Sequence, residues 1–329
     1  MSEQKPASKK KGCLGCALPL AISLVVIVVA LSVFGFMGGA IGQKLFPSIH
    51  LPSWISVPKP TIQLPAEAVF NIGPLPITNT IITSWITILV LLMITFMFTR
   101  KPKLIPSRIQ SIMESAIEWM YNFCKDVAGE KNGRKFFSLV TTIFLFVLIN
   151  AWMNLIPFFG SLMVYKDGIP PFPLLRGANT DINTALSLAI ISFVFFTFYG
   201  FRYGKFGFMK QFFNVGRFFK GWRELFTAKF KPAGGDLFFG AIDIVVSGLE
   251  VLSYLIRLVS FTFRLFGNMT GGEILVLMFM YLFTWAFFGA VQAIYGFELL
   301  IGLVQALIFA GLTLVFATMA VETHEEEGH

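Results

Sequence analysis

Asp243, Glu250, Arg257 and Arg264 recur at steps of seven inside an apolar run from about 237 to 284. On a helix of ~3.6 residues per turn each step drifts by only about 20°, so the four share one narrow stripe, about 30 Å long at ~1.5 Å per residue. Ser260 and Asn268, four residues either side of Arg264, flank it on the same face. An arginine keeps its proton at physiological pH and costs a contested ~2.5 to ~17 kcal/mol at bilayer depth, so an intramembrane arginine points to a use. The competing reading is that these groups merely pair with one another or with neighbouring helices. It accounts poorly for Arg264, which has no acidic residue three or four positions away.

Glu273 follows Arg264 by nine residues and so lies about 180° around the same helix. Glu298 and Gln305, seven apart in the last apolar run, share a face of their own. Two separate polar routes are therefore geometrically available, one along the Arg264 stripe and one through Glu273 and Glu298. Carboxylates and amides joined by water can pass protons, whereas an arginine cannot give its own away. The chemistry these residues suit is proton movement through a membrane.

The elements that carry them must lie in a bilayer. The chain is 56% hydrophobic, 16% aromatic and only 13% charged over 329 residues, with a mean hydropathy of +0.74, values that describe an integral membrane protein. The net charge of +8 is spread between apolar spans rather than gathered on a soluble face, which excludes a nucleic-acid partner. Apolar windows fall near 17–40, 78–99, 137–158, 182–203, 237–284 and 297–320. Lys and Arg number four before the first window, then two, eight, two and eight in the successive connections, which places the N-terminus in the cytoplasm. Hydropathy alone allows the run 237–284 to be one tilted helix or two spans broken at Gly267-Asn-Met-Thr-Gly-Gly272, alternatives that put the C-terminus on opposite sides. The acidic tail 322–329 does not choose between them.

The first window follows a basic segment but is long enough to cross and lacks a small-residue cleavage site, so it reads as a retained anchor. Cys13 and Cys16 precede it. Two ligands are too few for a metal site, and a lipoprotein cysteine would follow the apolar region, so these read as incidental or lipid-modified thiols. Cys124 is isolated. The segment 52–76, rich in proline, reads as an extended external connection. Ile109, Ile112, Met113, Ala116, Ile117 and Met120 form the apolar face of a surface helix over 105–127, and 205–231 interleaves Phe with Lys and Arg as a second interfacial segment. No internal repeat and no soluble domain is evident.

The decapeptide Arg264 to Glu273, Arg-Leu-Phe-Gly-Asn-Met-x-x-Gly-Glu, resembles the signature of the a subunit of F-type ATP synthase. Glu250, Arg257 and Ser260 stand where that family carries a Glu, a basic residue and a Ser, and Gln305, Ala306 and Phe309 resemble its C-terminal Gln-Ala-x-x-Phe. Asn150, Asn154 and Pro157 resemble an Asn-x-x-x-(Asn/Asp)-x-x-Pro ending an earlier span. Thr180-Asp-Ile-Asn-Thr184 resembles an Ala-Asp-x-Asn segment, and Ile105-Pro-Ser-Arg-Ile-Gln110 a cytoplasmic Val-Pro-x-x-x-Gln. The likeness spans about 78–327. Three features depart from it. Leu258 replaces a usual proline, which predicts a straighter helix; Glu298 replaces a frequent His, which keeps a titratable group; and the span before residue 41 has no counterpart in the common form.

The resemblance implies an all-α membrane protein of six helices, the last two long and strongly tilted as a hairpin along a ring of c subunits. It divides the chain into a basic N-terminus with an extra anchor (1–41), an external connection (42–77) and the a-subunit membrane domain (78–329). It selects the single tilted helix for 237–284, hence a cytoplasmic C-terminus, in a bacterial plasma membrane. Arg264 would stand between two half-channels and meet the ring carboxylate. Glu273, Glu298, Gln305, Asn268, Asp181 and Asn183 would line proton uptake from outside. Ser260, Glu250 and Arg257 would line release, and Asp243 joins them by its place on the stripe. The implied partners are the c-ring, peripheral-stalk b subunits, the rest of the complex and membrane lipids, with no cofactor and no metal. A secondary ion transporter with a midplane charged site is the alternative, although such transporters carry two similar halves.

Overall fold

The computed structural model describes residues 14–47, 59–60, 65–100, 108–156, 159–160, 162–166, 169–212, 230–284 and 290–325. In chain order the elements are α1 (Leu14–Gly38), α2 (Ala40–Leu45), β1 (Ala68–Ile72), β2 (Leu75–Thr78), α3 (Asn79–Thr99), α4 (Arg108–Asn154), β3 (Met163–Lys166), β4 (Ile169–Pro173), a 3-10 turn (Ala178–Thr180), α5 (Ile182–Phe212), α6 (Phe230–Phe283) and α7 (Ala290–Glu325). Among the described residues six helices, α1 and α3 to α7, are long and apolar enough to cross a membrane. The protein is an all-α integral membrane protein.

Helix is what the bilayer demands of these runs, because no water at that depth can satisfy a free backbone N–H or C=O. Continuity of a single helix decides the alternative left open for 237–284. α6 runs unbroken over 54 residues, through Gly267, Gly271 and Gly272, so the two-span reading falls. α4 merges the expected surface helix and the expected span into one element, divided at Gly129, whose φ of 74° and ψ of 166° only glycine adopts readily. The span expected to reach 158 ends at Asn154, that expected to end at 203 continues to Phe212, and the last one extends to Ala290–Glu325. Short strands are an addition. Part of the proline-rich connection pairs as the antiparallel hairpin β1–β2, with Asn71 opposite Pro76 and Gly73 in the turn at φ 62°. Proline is tolerated there because a two-stranded hairpin consists only of edges. A second hairpin, β3–β4, precedes α5. Cys13, Ile105 to Ser107, Pro157, the stretch 213–229 and most of 52–64 lie outside the described residues.

The chain forms two compact units, the described residues of Met1–Ile62 with Gly272–Glu298, and those of Gln63–Gly271 with Leu299–His329. The second holds the main core: Phe136, Val140 and Val147 of α4, Ala185, Ala189 and Phe196 of α5, Leu265 of α6, and Ala306, Phe309 and Leu314 of α7. Small residues set the close approaches. A Cβ at Gly302 of α7 would lie 3.0 Å from that of Ala151 on α4, and the Trp152 indole N–H donates to the Leu299 carbonyl at 3.1 Å. Beyond this core lies a polar end. Thr80, Thr83 and Thr87 of α3 are buried; Asn150 donates its amide to the Thr87 hydroxyl (3.0 Å) and accepts from the Asn179 backbone N–H (3.1 Å). Asn154 accepts from the Gly177 N–H at 2.9 Å.

Candidate functional site

Arg264 sits at the border between two faces of α6. Phe261, Leu265 and Met269 are buried, with the Phe261 and Phe309 rings 5.1 Å apart where α6 meets α7. On the other side Ser260, Phe263, Gly267 and Gly271 are exposed. Ser260, Arg264, Gly267 and Gly271 follow at i, i+4, i+7 and i+11, a single strip, and a Cβ added at either glycine would meet nothing within 4 Å. The half-buried guanidinium donates from Nη2 to the Ser260 hydroxyl at 3.4 Å. Among the described residues, no carboxylate pairs with Arg264 within 4.0 Å.

Lower on the stripe, Arg257 is held by rings. Its guanidinium lies 4.6 Å from the Phe316 centroid on α7 and 5.2 Å from that of Tyr254, stacking that partly replaces hydration. Glu250 and Asp243, one and two heptads earlier, are half-buried on the same helix. The unbroken α6 therefore keeps all four ionisable groups on one stripe, as their spacing predicts.

Of the expected uptake residues, the structure joins Asn268 to Gln305, whose side-chain amides meet at 2.6 Å with Asn268 donating. Gln305 is 2% exposed, and its own Nε2 finds no acceptor among the described residues. Asp181 has a local structural task. It precedes α5 and accepts from the Asn183 N–H (3.0 Å) through one oxygen and from the Thr80 hydroxyl (2.8 Å) through the other, the geometry of an N-cap. The preceding Thr180 carbonyl accepts from Thr270 of α6 at 3.4 Å, which ties this turn to the Arg264 helix. Asp181 and Asn183 also line a cavity of about 700 Å³ among α3, α4 and α5, whose walls include Ser84, Thr142 and Ser187 amid Ile81, Ile143 and Leu188.

Glu273 and Glu298 belong to the first unit. Glu273 is half-buried on α6. Glu298 of α7 is 6% exposed, and its carboxylate occupies the space left by Gly272: a Cβ there would lie 1.8 Å from Oε1. Its Oε2 is enclosed with no hydrogen-bond partner among the described residues.

The family model described as ATP synthase A chain matches residues 81–318, well over half of the chain. The chain belongs to the ATP synthase A chain family. It is 32% identical over 242 residues to ATP synthase subunit a of Sulfurihydrogenibium sp., covering 73% of this chain and 96% of that protein. It is 29% identical over 266 residues to that of Gloeobacter violaceus (80% and 93%), and 31% over 262 residues to that of Cereibacter sphaeroides (78% and 85%). Membership makes it a multi-pass, membrane-sector subunit of F-type ATP synthase, a proton-channel component rather than the catalytic subunit.

Three features of this family member escape sequence reasoning. Gly272 reads as a possible helix break but serves as the recess for Glu298. Thr80 gave no signal except its place in the Thr80, Thr83, Thr87 series, and it holds Asp181. Arg176, buried at the polar end, lies in a segment without periodicity. Its charge opposes the burial that pushes the Glu67 carboxyl above the usual carboxylate range; burial is the larger effect.

Proposed function

We propose that this chain forms the two proton half-channels of the ATP synthase membrane sector and that Arg264 couples proton passage to rotation of a c-ring. The observation that carries this reading is the Arg264 strip: a fixed charge beside Ser260, Gly267 and Gly271, with open space beside both glycines. Small residues let a partner backbone approach closely within a membrane.

On this reading a carboxylate on each ring subunit arrives protonated from the uptake side, where Glu273, Glu298, Gln305, Asn268, Asp181 and Asn183 supply water-linked polar groups. Opposite unit charges about 4 Å apart are worth ~4 kcal/mol at an effective dielectric of ~20, which corresponds to about 3 pKa units. The carboxylate therefore ionises as it meets Arg264 and releases its proton towards Ser260, Arg257, Glu250 and Asp243. Arg264, having no proton to pass, prevents direct leakage between the routes. The partners are the c-ring, the peripheral-stalk b subunits and the remaining complex, in a bacterial plasma membrane with both termini cytoplasmic. In a reconstituted complex, Arg264→Ala is expected to abolish proton-driven ATP synthesis while assembly persists; retained coupling would overturn the proposal.

A further inference from the structure

Residues 21–34 of α1 are almost wholly exposed, whereas Gly35, Gly38, Gly39 and Gly42 are buried. Their spacing of i, i+3, i+4 and i+7 contains two overlapping Gly-x-x-x-Gly pairs, the pattern that brings membrane backbones close. The partner here is the C-terminal end of α6, in the same compact unit. A Cβ at Gly39 would lie 1.9 Å from the Leu282 carbonyl oxygen and 2.9 Å from the Phe283 Cα, at the C-terminal end of α6. The Phe36 and Phe283 rings lie 6.2 Å apart. Thr284, fully buried, donates its hydroxyl to the Gly35 carbonyl at 2.8 Å. Thr284 also has a φ of 57°, a left-handed conformation that a β-branched residue adopts only under constraint.

We infer that α1 is a built-in clamp: its glycine edge and the Gly35 carbonyl grip Leu282 to Thr284 and hold the end of α6 that carries Glu273, within the unit that also contains Glu298. α1 precedes the region matched by the family, 81–318, whereas the residues it grips lie inside it. The clamp thus joins a helix outside the matched region to residues inside it. Its consequence for proton uptake rests on the proposed role of Glu273 and Glu298. Docking itself does not depend on that role.

The experiment uses the assembled ATP synthase in membrane vesicles. Phe36→Cys with Phe283→Cys is expected to cross-link efficiently with a short bifunctional thiol reagent, and Gly39→Leu or Thr284→Val to reduce that yield. Thr284→Val keeps the branched shape and loses the donor, so proton-driven ATP synthesis should fall about three- to tenfold, the scale of one lost buried hydrogen bond. Thr284→Ser restores the donor and should restore the rate, at equal amounts of assembled complex. No cross-link in the otherwise unaltered chain overturns the docking. Cross-linking with undiminished synthesis in both Gly39→Leu and Thr284→Val overturns the clamp. Unchanged synthesis in Glu298→Gln would instead overturn the uptake role and leave the docking standing.

Discussion

Gly272→Ala tests the tightest contact around a proposed proton carrier. An alanine Cβ would start 1.8 Å from Oε1 of Glu298 and 2.3 Å from its carboxyl carbon. Ordinary contact begins at about 3.4 Å, so the carboxylate must retreat by about 1.6 Å. A side-chain terminus can move, but this one is buried, at 6% exposure. Overfilling a packed site of this kind costs ~1 to ~3 kcal/mol. The expected result is a lowered thermal midpoint of the assembled complex together with slower proton-driven ATP synthesis.

The geometry supplies its own rescue. Aspartate at 298 withdraws the carboxylate by about one carbon–carbon bond, ~1.5 Å, close to the retreat that alanine demands. Gly272→Ala with Glu298→Asp should therefore recover much of the stability lost in Gly272→Ala alone. A double-mutant cycle is expected to give a coupling of ~0.5 to ~3 kcal/mol, the range for residues in contact. Additive effects, or an alanine variant with unaltered midpoint and rate, would refute the idea that Gly272 is a recess for Glu298.

Three further outcomes are expected. Thr80→Val removes the hydroxyl that donates to buried Asp181 at 2.8 Å and should lower stability by ~1 to ~3 kcal/mol in thermal denaturation, with Thr80→Ser recovering most of it. Gly129→Ala forces a side chain into the φ 74° kink of α4 and should cost ~1 to ~3 kcal/mol in the same assay. For Glu67 the pKa is raised in the folded state by burial, so the native protein binds the proton more tightly than the unfolded chain does. Its contribution is most favourable below the ordinary carboxylate pKa and declines as pH rises through the folded value. Glu67→Gln should accordingly raise the thermal midpoint at neutral pH and lose that advantage in acid; a benefit independent of pH would count against the burial argument.

The long-range order of the site was legible because helices repeat. A seven-residue spacing puts Asp243, Glu250, Arg257 and Arg264 on one stripe whatever the tertiary structure, and α6 preserves it. Asn268 and Gln305 could each be picked out as polar groups in apolar runs, but their 2.6 Å bond depends on how two helices pack. Asp181 shows the opposite limit. Its motif suggested a route, and its oxygens are engaged with Asn183 and Thr80, one a local cap and the other a contact 101 positions away in sequence. The hairpin β1–β2 was hidden because proline weakens every strand signal, and the clamp on Leu282 because glycine spacing announces a close approach without naming the partner.

Arg264 has five guanidinium donors available and, among the described residues, a single, long hydrogen bond, to Ser260. A charge so sparsely matched at membrane depth is costly to the isolated chain, and the described residues offer it little relief. The buried residues around it do something else. Leu265 and Met269 on one side, and Phe261 against Phe309, fix the helix that carries it. The position of the charge is therefore set by packing, while on the proposed reading its compensation comes from water and from the partner that meets the open strip. That separation gives different consequences to neighbouring substitutions. Leu265→Ala opens a cavity in the core and should cost ~2 to ~5 kcal/mol of stability. Arg264→Ala removes an ill-matched charge and should leave the fold intact. A loss of Arg264 that proves silent in folding yet abolishes proton-driven synthesis would mark it as a residue whose counter-ion comes from outside the chain.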